Sequence, residues 1–221
     1  NNDIYIPELQ QVSEALKDIY MEQNFWKAIF SSFYRTIISY VLALAFSMIL
    51  GILGAVYPFF RYLMQPLNSF AKTVPTMVLV VLLLVWFDKD ITPFAVGFAI
   101  IFPVLYEGVR NSLMQIDKKL IDMTKIYEVS LIDKIKKIYV PVMKFYFMSI
   151  FVSTFSLTFK VVITGEVYGQ PKFGIGSQIQ LEKVNFNVSG IFAWIVIIVF
   201  ISIVLEVINK LLNKKIYRWN K

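Results

Sequence analysis

The apolar and polar positions of this chain are blocked on the scale of tens of residues. Thr36 to Phe60 is a run of 25 residues without a charge. Thr73 to Phe87 is a run of 15, reaching back to Tyr62 if Lys72 is allowed. Ile91 to Tyr106 is 16, and Phe145 to Phe159 is 15, extending to Gly165 across Lys160. Val184 to Leu205 is 22. A helix needs about 17–25 mostly apolar residues to cross about 30 Å of hydrocarbon. The first and last runs are long enough outright. The middle three are long enough when a Lys near an end snorkels or polar ends are counted. The pattern predicts an all-α membrane protein with five spans in this chain. Buried helices of a soluble domain would need more polar chain than remains to cover them.

Two shorter patterns sit on this frame. On the first run Ser39, Ala43, Ser47, Gly51 and Ala55 recur every four residues, so they share one helix face. Small residues there let helix backbones approach closely. Between the third and fourth runs, residues 111–144 are charged yet periodic. Leu120, Ile121 and Ile126 are interleaved with Lys118, Lys119, Asp122 and Lys125. Leu131, Ile132, Ile135 and Ile138 then fall opposite Asp133, Lys134, Lys136 and Lys137. This predicts two short amphipathic helices. They suit either an anionic lipid surface or a docking site for a cytoplasmic protein, and periodicity does not separate the two.

Composition sharpens this. Of 221 residues 57% are apolar and 17% charged, with mean hydropathy +0.64. Soluble domains carry about 45–50% and about 25%. There is no His and no Cys, which removes thiolate and imidazole metal sites, thiol nucleophiles and His-dependent triads. No GxxxxGK[ST] phosphate loop is present. Net charge is +7, unevenly placed. Fourteen Lys and Arg fall in segments on the same side as Arg61, and seven in those opposite. The positive-inside rule then puts Arg61, the loop and the C-terminus in the cytoplasm, and the acidic start outside. Trp26, Trp86, Tyr106, Trp194 and Trp219 near the run ends read as interface anchors.

Candidate path residues follow from helical phase. Ser149, Ser153, Ser156 and Lys160 share one face of the fourth run, with Thr154 and Thr158 beside them. Hydroxyls there suit a wet passage, or packing against a neighbouring helix, and an intramembrane Lys is a functional candidate. Lys72 and Thr73, at the start of the second run, are further candidates. Glu206 and Lys210 are spaced as an i, i+4 pair.

The loop has a further order: Asp122-Met123-Thr124, three residues, Glu128, nine residues, then Ile138-Tyr139-Val140-Pro141. This resembles the EAA loop of importer-type ABC permeases, with Ile138 and Pro141 matching and Glu128 standing at the family's Gly. Thr73-Val74-Pro75-Thr76 up to Trp86-Phe87, Phe102-Pro103 with Gly108, Gly165-Glu166-Val167-Tyr168 with Phe173-Gly174-Ile175-Gly176, and Ile6-Pro7 to Leu16 resemble, in order, segments of the sulfonate/nitrate/taurine-type permeases. The resemblance covers about residues 6–218. It implies a type I ABC importer permease: residues 1–35 an extracytoplasmic entry segment and helix start, 36–212 the transmembrane domain containing the coupling loop 111–144, and 213–221 a basic cytoplasmic tail. Members usually have six spans, so a sixth, N-terminal span is expected to be missing from this chain.

The resemblance further implies a non-enzymatic subunit of the bacterial cell membrane. It would pair with a second permease, as a homodimer, with ABC ATPase subunits that carry the ATP and Mg, and with an extracytoplasmic solute-binding protein. Lipids would surround it, and nucleic acid is not an expected partner. The coupling set it implies is Asp122, Glu128, Leu131, Ile132, Lys134, Ile135, Lys136, Ile138 and Pro141, with Pro141 separating the coupling helix from the next span. Where the family's Gly turn needs positive φ, Glu128 disfavours it. Glu166, Gly174 and Gly176 belong to the extracytoplasmic loop, where Glu166 anchors the loop or meets the binding protein and the glycines permit sharp turns. The solute would be a small anionic or polar one. Another solute class, such as polar amino acids or vitamin precursors, and a non-ABC membrane protein with a lipid-binding loop remain alternatives.

Overall fold

The computed structural model describes residues 7–216, with side chains to residue 208. Among these residues every regular element is a helix. In chain order they are α1 (Leu9–Met21), α2 (Phe25–Val56), α3 (Pro58–Thr73), α4 (Thr76–Trp86), α5 (Thr92–Met114), α6 (Lys118–Ile126) and α7 (Leu131–Lys134). A π-turn (Ile135–Tyr139) leads into α8 (Val140–Gly169), followed by α9 (Ile175–Val184) and α10 (Val188–Ile216).

Four continuous helical stretches are long and apolar enough to cross a membrane: Phe25–Val56, Thr92–Met114, Leu131–Gly169 and Val188–Ile208. The fifth expected span is broken. α3 and α4 meet at 109°. Pro75 lacks an N–H and clashes with a helical residue before it, so Val74 is extended, with φ −70° and ψ 126°.

The centre of the bundle is α5 between α2 and α8. The small ridge of α2 faces α5: Ser39, Ala43, Ser47 and Gly51 are buried and Ala55 is half-buried. Ser39 Oγ lies 3.0 Å from the Phe94 carbonyl of α5. A Cβ on Gly51 would come within 2.5 Å of Val109 Cγ1, and one on Gly97 within 2.9 Å of Ser39 Oγ. Tyr40, Ala43, Ile101, Leu105 and Phe155 fill the middle. One end is closed by Phe25, Phe159, Ile163, Ile175 and Trp194, and the other by Val109, Leu113, Tyr139 and Met143.

α2 runs back to Phe25, ahead of the charge-free run, and carries Lys27 and Arg35 inside it. Two sequence expectations are corrected here. Pro141 does not separate helices. Val140 N–H bonds to the Ile135 carbonyl, five residues back, and this wider ring absorbs the proline in the first turn of α8, so the helix is continuous. Of the expected anchors, Tyr106 and Trp194 are fully buried. Tyr106 is wedged against Gly54, and Trp194 stacks 6.0 Å from Phe25. Trp26 and Trp86 are exposed, while Trp219 lies outside the described residues.

The turn at Glu128 is of the left-handed type, with φ 49°. Glu128 N–H bonds to Lys125 O at 3.1 Å and Val129 N–H to Thr124 O at 2.9 Å, the two bonds of a Schellman cap closing α6. A residue with a Cβ pays about 1–2 kcal/mol there. Glu128→Gly should therefore stabilise the protein by about 1 kcal/mol, seen as a higher thermal midpoint of the purified chain, with Glu128→Val shifted the other way.

Candidate functional site

Three constellations stand out, one at each end of the bundle and one along α8. At the first end Glu166 of α8 is 0% exposed and Arg35 of α2 8%. Arg35 Nη1 donates to Glu166 Oε1 at 2.7 Å and to the Phe173 carbonyl at 2.6 Å. Ser32 Oγ donates to Glu166 Oε2 at 2.7 Å and accepts from Ile175 N–H at 2.9 Å. Gly176 N–H donates to the same Oε2 at 3.0 Å. One carboxylate thus ties α2, α8, the 171–174 link and the start of α9. A Cβ on Gly174 would sit 2.7 Å from Glu166 Cδ, and one on Gly176 2.6 Å from Glu166 Cβ. These glycines serve close approach. The sharp turns expected of them fall elsewhere: no described glycine has positive φ, and the left-handed residues here are Gln170 and Phe186.

Sequence reading missed Ser32 and Arg35. A signal was available: stepping the small ridge back from Ser39 by four lands on Arg35, and a further three on Ser32.

Along α8, Ser149, Ser153 and Lys160 are exposed and Ser156 half-buried on one face. Ser153, Ser156 and Lys160 line a groove of about 610 Å³ with Val152, Leu157, Ser202 and Glu206 of α10. The hydroxyls of Ser149 and Ser153 donate to their own helix, to Tyr146 O and Ile150 O. Thr154 and Thr158 turn away into the core, Thr154 meeting Tyr40 Oη at 2.9 Å. Lys72 and Thr73 are not part of the groove. Lys72 is paired with Glu107 of α5, and the Thr73 hydroxyl caps Ser69 O and Phe70 O of its own helix. Lys210 lies outside the described side chains, so the Glu206–Lys210 pair is not described.

At the opposite end α6 and α7 form a hairpin with an apolar tip. Ile126, Tyr127, Leu131 and Ile132 are 77%, 74%, 43% and 64% exposed. Lys134 is half-buried and Lys136 exposed beside it. Ile135 and Ile138, expected on the same outward edge, instead pack on Val109, Leu113, Tyr139 and Met143. The π-turn rotates the helix face between Ile132 and Ile135, so one apolar stripe is divided between tip and core. Asp122 is exposed and accepts from Lys125 Nζ at 2.8 Å, which holds its carboxyl below the usual carboxylate range.

A helical bundle with four stretches long and apolar enough to cross a membrane defines a multi-span membrane protein. Residues 47–218 match the family described as "Binding-protein-dependent transport system inner membrane component". The chain belongs to that family and is an ABC importer permease. It is 21% identical over 190 residues to a Bacillus subtilis (strain 168) protein named as an aliphatic sulfonates transport permease, SsuC. That match covers 85% of this chain and 68% of the relative. Its fold is similar to a solved chain of the MetNI methionine ABC transporter in an inward-facing conformation. There the TM-score is 0.73 at 14% identity, covering 88% of this chain and 97% of that one. Membership of the family sets aside the non-ABC alternative.

Removing one partner of a buried ion pair strands the other, at a cost of about 3–5 kcal/mol. Arg35→Met and Glu166→Met should each lower the thermal midpoint of the purified chain sharply, and the double variant should lose less than the sum of the two. Strict additivity would show that the two side chains do not act on each other.

Proposed function

We propose that the α6–α7 hairpin is the docking element for a cytoplasmic ABC ATPase and that the α8–α10 groove is part of the solute path. The observation that carries the reading is the hairpin tip. Four large apolar side chains stand open together at this end of the bundle, and lysines rim them. An apolar patch with a charged rim is the form of a protein interface. The residues of the EAA-like loop, Asp122 to Pro141, are the same segment. The docking set is then Leu131, Ile132, Lys134 and Lys136. Asp122, Glu128, Ile135, Ile138 and Pro141 shape and seat the hairpin.

In this reading the hairpin end is cytoplasmic, which accords with the 14-to-7 basic bias. The Glu166 end faces outward, where α9 and the 171–174 link would receive a solute-binding protein. Two copies of the permease would enclose the path. α10, apolar all round and thinly covered by its own chain, offers a face to lipid or to the second copy. Lys160 and Glu206 set a cation and a carboxylate among the hydroxyls of Ser153, Ser156 and Ser202, a lining that suits a small polar solute, with Lys160 able to meet an oxyanion such as a sulfonate. The naming of SsuC points the same way. Hydrolysis of ATP with Mg would take place on the partner; the chain contributes motion and a passage.

Two outcomes are expected. Leu131→Asp together with Ile132→Asp should abolish co-purification of the ATPase while the permease still inserts at normal yield. Undiminished co-purification would sink the docking assignment. In transport assays Lys160→Gln should reduce uptake of an anionic solute by roughly tenfold, and Lys160→Arg should retain most of it. Equal uptake by all three proteins would remove Lys160 from the path.

A further inference from the structure

Between α3 and the second half of α5 lies a polar cavity of about 350 Å³, lined by Arg61, Gln65, Asn68, Ser69, Glu107 and Arg110. It shares no residue with the groove along α8 or with the hairpin tip. Its charges do not cancel. Glu107, the carboxylate in its wall, is held by Lys72, which leaves the guanidiniums of Arg61 and Arg110 in excess. Arg110 Nη2 donates to Asn111 Oδ1 at 3.0 Å, but its buried Nε has no hydrogen-bond partner among the described residues. The same is true of Oδ1 of Asn68, which is only 8% exposed. Buried polar groups are ordinarily satisfied. Here the Nε of one of the two guanidiniums and a carboxamide, which can turn its amino group into the cavity by rotation, stand unused.

We infer that this cavity binds a tetrahedral oxyanion, and specifically the phosphodiester headgroup of a membrane phospholipid. Guanidinium forks match tetrahedral oxyanions bidentately. The position of α3 selects the lipid. Its axis is turned 109° from α4, so with the 11-residue α4 entering the bilayer along its normal, α3 runs nearly in the membrane plane. Its outer face exposes Phe59, Tyr62, Leu63 and Leu67. An in-plane helix with an apolar outer face and a basic pocket behind it spans the boundary between acyl chains and headgroups. The headgroup would bond Arg61, Arg110 and Asn68 while its chains lay on the Phe59–Leu67 face. A free phosphate or sulfonate would use the same guanidiniums without that face. The site does not depend on the proposed docking or path.

The test uses the purified full chain in nanodiscs of phosphatidylcholine with or without phosphatidylglycerol. Retained phospholipid is read by native mass spectrometry, and inorganic phosphate binding by equilibrium dialysis. Wild type should hold a phospholipid that survives release from the disc. Arg61→Gln and Arg110→Gln should each weaken retention by roughly tenfold, with Lys125→Gln, which removes the same single charge from α6, behaving as wild type. Arg61 is only half-buried, so its variant serves if Arg110→Gln does not fold. Arginine-dependent binding of phosphate without retained lipid would keep the oxyanion site and name a free solute as its ligand. Retention and phosphate binding unchanged in the folded arginine variants would overturn the site.

Discussion

A carboxylate with no solvent exposure inside a membrane bundle is tolerable only when its charge is answered, and in this chain the answer comes from Arg35. An isolated ion there would cost several kcal/mol, and the pair repays that cost only with good geometry and every remaining lone pair satisfied. Ser32, Gly176 and the Phe173 carbonyl complete the set. Each requirement fixes a separate piece of chain. α2 must start about three turns before the charge-free run that opens at Thr36, α8 must run to Gly169, and Gly174 and Gly176 at the start of α9 must be too small to hold the carboxylate away. The packing of Phe25, Phe159, Ile175 and Trp194 around this point follows from those placements.

The α2–α5–α8 core was legible because its signals are periodic. The four-residue ridge on α2 named the face that meets α5, and Thr73-Val74-Pro75 contained the break between α3 and α4, although counting charge-free residues merged the two. What was not legible concerned charges. A charge was treated as the edge of a span, so Arg35 was placed at a boundary when it lies inside a helix, and its partner 131 residues away is invisible to local pattern. Tyr106 and Trp194 were misread for a related reason. Nearness to a run end in sequence says nothing about which way a side chain faces.

The α6–α7 hairpin shows a subtler limit. The apolar positions Leu131, Ile132, Ile135 and Ile138 obey a single helical period, and a regular helix would present them together. One inserted π-turn divides them, two outward and two inward. Glu128 likewise stands where a left-handed turn was judged unfavourable, and the chain adopts it at a cost, closing α6 with a Schellman cap. Both are cases where tertiary placement overrides a local preference.

The continuity bought by the π-turn has a mechanical meaning. From Leu131 to Gly169 the chain is one 39-residue rod, about 58 Å long at helical rise. The hairpin tip is at one end and Glu166 lies within its last turn at the other. A tilt of about 10° in such a rod sweeps its far end through roughly 10 Å, more than any hydrogen bond tolerates. Displacement of the tip must therefore carry α2 and α9 along as one body, or else pull Glu166 from Arg35. The molecule is built as a lever whose far end is bolted down.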